Sequence, residues 1–447
     1  MRRALAAAGL ALVACEREAP PGVFHRPYVL APEVPDAAGV DATTPGLPRC
    51  ALRAGAPEDL ALGADIGVPR LAWNGSHFAV VWPETIDEED AIRFVRVSAR
   101  GQRMGVPLRV SERRFQARSP SLTWNGDSWS VVFAGGIRAT GDLYQARVDA
   151  RGSAVGRPWR MTRGDRHDLE PVFVSTGRGF ALAWTSVEPD GRWSLYGEVL
   201  NRWDAPIAPP TQLLNTSVRL LAPQLLYTGQ AWAVTAITAR REVFAVDMAR
   251  MEPTGLLRGG VTRISNERIG GIDTTQRYAV AWDGHAFAVV WSELRDGTPQ
   301  LFFRKVTTRG NPLEPTLALR VDEDQAENPS LAALEDGAFV LAEQVVREGF
   351  PRIRVRVIGA DLTLNDEGVE LRGVDGAAQN PTVVWNGETL GLVTRSERGV
   401  AFHRVILGPC AARPAPAPRP APQPPPAPPP PPPPGPAPSR DAALGPR

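Results

Sequence analysis

Lysine is almost absent from this chain: Lys305 stands alone, so 49 of the 50 basic residues are arginine. With abundant Ala, Gly and Pro, this is the composition of a GC-rich bacterial genome. A charge excess is missing as well, since 50 basic residues face 49 acidic ones. That balance excludes the basic surplus on which nucleic-acid binders rely. Long apolar runs are lacking: beyond the N-terminus nothing approaches the ~18 uninterrupted apolar residues of a membrane-spanning helix. The five histidines (His25, His77, His167, His285, His403) are scattered, without metal-ligand spacing to a cysteine or to one another. No zinc site is expected from them. A Gly-x-Ser-x-Gly elbow, a phosphate-binding P-loop and a dinucleotide-binding glycine motif are all missing, so no cofactor is expected.

What is present begins at the N-terminus. Arg2 and Arg3 precede Ala4–Ala14, an apolar stretch of eleven residues. It is too short to cross a ~30 Å hydrocarbon core and has the length of a signal-peptide core. The stretch ends in Leu12-Val13-Ala14-Cys15, which resembles the lipobox of bacterial lipoproteins. The resemblance implies cleavage before Cys15, acylation of that cysteine, and export. Glu16 in place of Asp points to the outer membrane. Two cysteines remain, Cys50 and Cys410, and an exported protein lies where disulfides persist, so the two are expected to pair.

The body of the chain repeats. Seven segments share one pattern, among them PRLAWNGSHFAVVW (Pro69–Trp82), PSLTWNGDSWSVVF (Pro120–Phe133), YAVAWDGHAFAVVW (Tyr278–Trp291) and PTVVWNGETLGLVT (Pro381–Thr394). Their turn glycines, Gly75, Gly126, Gly177, Gly229, Gly284, Gly337 and Gly387, recur every 50 to 55 residues. Asn-Gly or Asp-Gly between alternating apolar runs predicts a tight β-hairpin. A third strand follows (Leu143–Asp149, Leu301–Thr307), then a Gly-containing turn and a short fourth strand (Pro158–Thr162, Leu317–Val321). Four antiparallel strands per repeat is the content of a β-propeller blade. The chain therefore resembles the seven-bladed β-propellers in the broad kelch and WD-repeat sense, although it carries no subfamily signature. The resemblance implies an all-β fold and no particular activity.

The last copy lacks a fourth strand, and Leu60–Gly63 is an orphan strand ahead of the first copy. Joining the two closes the ring and removes open edges, with Cys50 and Cys410 placed to clamp the closure. The expected organisation is a signal peptide at 1–14, a lipidated tether at 15–49, the propeller at 50–410 and a Pro/Ala-rich tail at 411–447. Within the tail, Pro414–Pro438 favours extended polyproline II.

The recurring tryptophans, Trp73, Trp82, Trp124, Trp282, Trp291 and Trp385, read as core packing between blades; Trp159, Trp193 and Trp203 fall outside that pattern and are candidates for surface roles. The clusters Asp87–Asp90 and Asp322–Asp324 lack the alternating spacing of a calcium loop and read as solvated charge. Loops joining fourth to first strands converge on one face of a propeller, the usual place for a ligand or partner. They carry the candidate binding residues Asp168, Glu170, Gln325, Glu327, Asn328, Gln379 and Asn380. Two functions fit. One is a monomeric, lipid-anchored binding or scaffold module of the cell envelope that takes a protein or glycan partner. The alternative is a glycan hydrolase or lyase with carboxylates at the channel mouth, for which propellers are equally suited.

Overall fold

The computed structural model describes residues 51–408, apart from residues 64, 137–140, 241–242, 266–277, 296–297, 320–324, 365–367 and 374. Cys15, Cys50, Cys410, the tether, the Pro-rich tail and the cluster Asp322–Asp324 lie outside the described residues. Among the described residues, 29 strands and no helix form seven antiparallel sheets, each wound from the ring axis outwards. The blades span Arg70–Arg109, Arg118–Arg160, His167–Thr216, Arg219–Arg263, Tyr278–Ala318, Ala326–Leu371 and Gln379–Leu407. This is the expected seven-bladed β-propeller.

Each blade starts with the hairpin read from the repeat. In the first, Asn74 Oδ1 accepts the N–H groups of Ser76 (3.0 Å) and His77 (2.9 Å), and Gly75 takes φ 95°, a region costly for other residues. Asn125, Asp283 and Asn386 build the same turn. The outer strands are shorter than expected: Trp159–Arg160 and Leu317–Ala318 keep two residues each. Side-chain hydroxyls take over at the strand end, where Thr162 Oγ1 accepts the Leu143 N–H (3.0 Å) as Ser111 Oγ accepts that of Ile92 (3.0 Å).

Core packing lies between blades. Trp82, Trp129, Trp184, Trp232 and Trp291 are essentially solvent-free in inter-blade clusters. Of the other tryptophans expected in the core, Trp282 is buried, while Trp73, Trp124 and Trp385 are half-buried against such clusters. Blade six departs from this. Glu343 stands where Trp82, Trp184 and Trp291 stand in other blades, fully buried, accepting a hydrogen bond from Arg354 Nε (2.8 Å) and ion-paired with Arg356, whose Nε lies 2.6 Å away. Side chains also stitch neighbouring inner strands. Ser121 Oγ accepts Phe173 N–H (2.8 Å), and Ser330 Oγ accepts Val383 N–H (3.1 Å). Gln224 both donates to Tyr278 O (2.8 Å) and accepts from Val280 N–H (3.1 Å).

The ring closes as the orphan strand suggested. Glu58–Leu62 pairs with Gly399–Leu407 in the register Glu58↔Phe402 and Leu62↔Gly399, and a further strand, Leu52–Ala54, continues the same edge with Leu52↔Leu407. Leu60, fully buried, packs among Phe78, Trp82, Val400 and Phe402.

Candidate functional site

One ring face is formed by the starts of the inner strands, the ends of the second strands and the loops between second and third strands. In blades two, three, four, six and seven the inner strand slips register by a β-bulge near its start. At each bulge a residue with positive φ stands before a proline: Ser119 (51°), Glu170 (48°), Ala222 (48°), Asn328 (49°) and Asn380 (48°). The proline has no N–H to donate, so nothing is lost where the ladder is interrupted. The left-handed backbone costs on the order of 1 kcal/mol at each site, and bulges of this kind re-aim side chains next to functional sites.

The expected binding residues divide sharply. Asp168 is 2% exposed, and its Oδ1 accepts Trp184 Nε1 (3.1 Å) and Ser186 Oγ (2.8 Å). The same tryptophan-to-carboxylate bond recurs from Trp82 to Glu84 (3.1 Å) and from Trp291 to Glu293 (2.7 Å). Asn328 and Asn380 are also buried and not exposed loop positions, because the bulges draw them into the strands. They belong to a polar chain running from blade six to blade one. Gln344 donates to Glu327 Oε1 (2.8 Å) and its Oε1 accepts Asn328 Nδ2 (3.1 Å) and Asn380 N–H (3.2 Å). Asn380 Oδ1 then accepts Arg395 Nε (2.8 Å), and Arg395 Nη1 donates to Ile66 O (2.9 Å). Gln379 is half-buried and Gln325 exposed, both on this face.

Glu170 is different. Its Oε2 accepts the Ala222 N–H of the next blade (2.6 Å), while Ala222 O accepts the hydroxyl of Tyr278 (2.7 Å), which Thr235 Oγ1 also meets (3.0 Å). Three blades are thus linked through one strained residue. Burial raises the Glu170 carboxyl above its ordinary value, opposed by the Ala222 bond and the charges of Arg70 and Arg219. Burial lowers the Arg70 guanidinium, with Glu170 pulling the other way. Tyr278, also buried, is raised. Arg70 opens the inner strand of blade one and Glu170 lies near the start of the inner strand of blade three, both at the mouth end of the ring. The Arg70 side chain makes no hydrogen bond or ion pair with any described residue; its backbone pairs with Val81 in the hairpin ladder. Arg70, Gln224 and Tyr278 were not anticipated from the sequence; the signal available was an arginine directly after the repeat proline Pro69.

Among the described residues no cluster of His, Cys, Asp or Glu could hold a metal ion. Within Asp87–Asp90, Asp90 accepts Thr85 Oγ1 (2.8 Å) and Glu89 pairs with Arg109 (3.2 Å). A cavity of about 190 Å³, lined by Gly55, Ala56, Arg100, Gly101, Arg404 and Ile406, lies away from the mouth and holds no carboxylate.

Fold and mouth together define a seven-bladed β-propeller with a charged, closely packed channel entrance. No family model matches the chain, and no curated protein does. Among solved structures, the β-propeller domain of the trilobed protease from Pyrococcus furiosus is 9% identical, with a TM-score of 0.46 over 76% of this chain and 95% of that one. The β-fructofuranosidase of Bombyx mori is 9% identical, with a TM-score of 0.39 over 79% and 91%. The acylaminoacyl peptidase of Pyrococcus horikoshii is 11% identical, with a TM-score of 0.43 over 76% of this chain and 50% of that one. At such distances the likeness extends to the fold alone.

Proposed function

We propose that this chain is an exported lipoprotein, acylated at Cys15 and clamped by a Cys50–Cys410 disulfide, whose propeller acts as a monomeric binding module for an envelope protein. The channel-mouth face is its contact surface. One observation carries the reading: Arg70 opens the inner strand of blade one at the mouth, and its side chain has no hydrogen bond or ion pair with a described residue. A half-buried guanidinium held by its blade loses little freedom when a partner's carboxylate or carbonyl reaches it. Glu170, opposite in sign and fixed by the Ala222 N–H, supplies the complementary contact.

A hydrolase would need two carboxylates directed at one pocket. Of the carboxylates on this face, Glu84, Asp168 and Glu293 are bonded to tryptophans, and Glu170 stands at the axis with its arginines. The solved neighbours named above include hydrolases, so turnover is kept as an outcome of the test.

A photo-crosslinking amino acid at Gln325 or Gln379, beside the mouth, should give one protein adduct in intact cells, lost with Arg70→Gln. Cys15→Ser should release the chain from the membrane fraction. Adducts unaffected by Arg70→Gln argue against this contact surface. Binding on a glycan array in place of protein adducts makes the partner a glycan. Polysaccharide cleavage abolished by Glu170→Gln makes the protein an enzyme.

A further inference from the structure

The opposite face carries a second pattern. In each of blades one to six the third strand ends in one repeated turn, such as Asp149 N–H to Ser153 O (2.9 Å) followed by Gly152 at φ 90°. Across four successive blades, two to five, these turns and the residues just after them leave large apolar side chains in solvent: Val155, Trp203, Ile207, Leu256, Leu257 and Leu313. Trp203 is 69% and Leu256 61% exposed. The same segments carry exposed Arg151, Arg157, Arg202, Arg258 and Arg309. None of these arginines forms an ion pair with a described residue, and Arg202 lies over the Trp203 ring (4.4 Å). Two of the nearby carboxylates are occupied: Asp149 accepts the N–H groups of Arg151 (2.9 Å) and Ser153 (2.8 Å) in its own turn, and Asp204 pairs with Arg147; Glu252 adds one acidic group to the turn of blade four. On the mouth face the exposed Ile86 is set differently, followed directly by Asp87-Glu88-Glu89-Asp90.

We propose that this arc of turns rests on a phospholipid bilayer containing anionic headgroups. Separate protruding tips, each offering one or two apolar side chains beside an unpaired arginine, match the interface of headgroups and acyl chains better than a groove on a protein. Apolar groups enter the boundary, aromatic rings settle at headgroup level, and guanidiniums meet the phosphates. The chain itself supplies the orientation. Leu52 pairs with Leu407 at the end of a third strand, and Gly408 N–H donates to Ala51 O (2.7 Å), so the polypeptide enters the ring on this same face. A bilayer held here leaves the channel mouth turned outward. The inference does not depend on the mouth's function or on the acyl chain.

The test uses the full chain carrying Cys15→Ser, so that no lipid anchor contributes, with vesicles of phosphatidylethanolamine and phosphatidylglycerol at about 7:3. Co-sedimentation should be clear in low salt and weaken about tenfold or more on pure phosphatidylcholine. Trp203→Ser with Leu256→Ser should lower it about tenfold, as should Arg151→Gln with Arg258→Gln; Ile86→Ser on the other face should leave it unchanged. Absence of binding to both vesicle types overturns the proposal. So does binding that survives both double variants. A protein adduct from a crosslinker at position 203 in cells, without vesicle binding, assigns the arc to a protein partner.

Discussion

A buried carboxyl far from the mouth should set how the protein's stability depends on pH. Glu198, on the third strand of blade three, pairs with Leu182 and is 7% exposed. It shares a strand face with Tyr196 and Leu200, which pack against Val132 and Leu143 of blade two. No described residue bonds to it, and burial raises its carboxyl from 4.5 to about 7. Below pH 4.5 folded and unfolded chains both hold the proton, and Glu198 adds no pH dependence. As pH climbs, the unfolded chain gives up its proton first while the folded one retains it. Stability therefore falls from pH 4.5 until the folded group titrates near 7. At 1.36 kcal/mol per pH unit, the loss approaches about 3 kcal/mol. Glu198→Gln removes the titration. The variant should match the parent near pH 4.5 and be more stable by about 2–3 kcal/mol at pH 8, read by urea unfolding followed through tryptophan fluorescence. His403, lowered to about 4 by burial, works the other way and weakens the fold as pH drops below 6.5, but it is common to both proteins and cancels. A difference that does not change with pH, or a parent more stable at pH 8, refutes the argument.

Ring closure yields two further expectations. Leu60→Ala should cost about 3 kcal/mol, since it opens a cavity between Phe78, Val400 and Phe402 at the seam; equilibrium unfolding with a loss below ~1 kcal/mol would mean the seam carries little of the fold's stability. Peptide mapping without reductant should join the Cys50 and Cys410 peptides, and free thiols at both positions in exported protein would remove the proposed clamp.

Architecture was legible because its signals are local and repeated. Asn-Gly and Asp-Gly turns announce each inner hairpin, and seven copies at nearly constant spacing define the ring. The missing fourth strand of the last copy and the orphan Leu60 are also local, so the closure could be read. The candidate site was less legible. Asp168, Asn328 and Asn380 look like loop residues because they are polar and stand at or just before a proline, yet Asp168 lies in the ladder ahead of the bulge at Pro171, and the bulges before Pro329 and Pro381 turn Asn328 and Asn380 into internal hydrogen-bonding groups. Whether such a side chain faces solvent or a neighbouring blade depends on one residue of register, which composition does not encode. Arg70 and Tyr278 were missed for a related reason: their significance comes from blades that meet only around the axis. The outer turns were read as connections, and the exposure of Trp203 and Leu256 emerges only once the ring is assembled.

The seam also fixes the order in which the molecule comes into being. Leu60 lies near the start of the ring, and its partners Val400 and Phe402 come roughly 340 residues later. A chain emerging N-terminus first must keep Glu58–Leu62 waiting while six blades form, because its complement does not yet exist. During that interval the growing ring has two raw ends, one at each side of the gap. A message truncated before Gly399 would leave both permanently open, so even a small C-terminal loss should send the product to proteolysis or aggregation and not to a shorter working form. The strands made at the outset, Leu52–Ala54 and Glu58–Leu62, are the last to find their place.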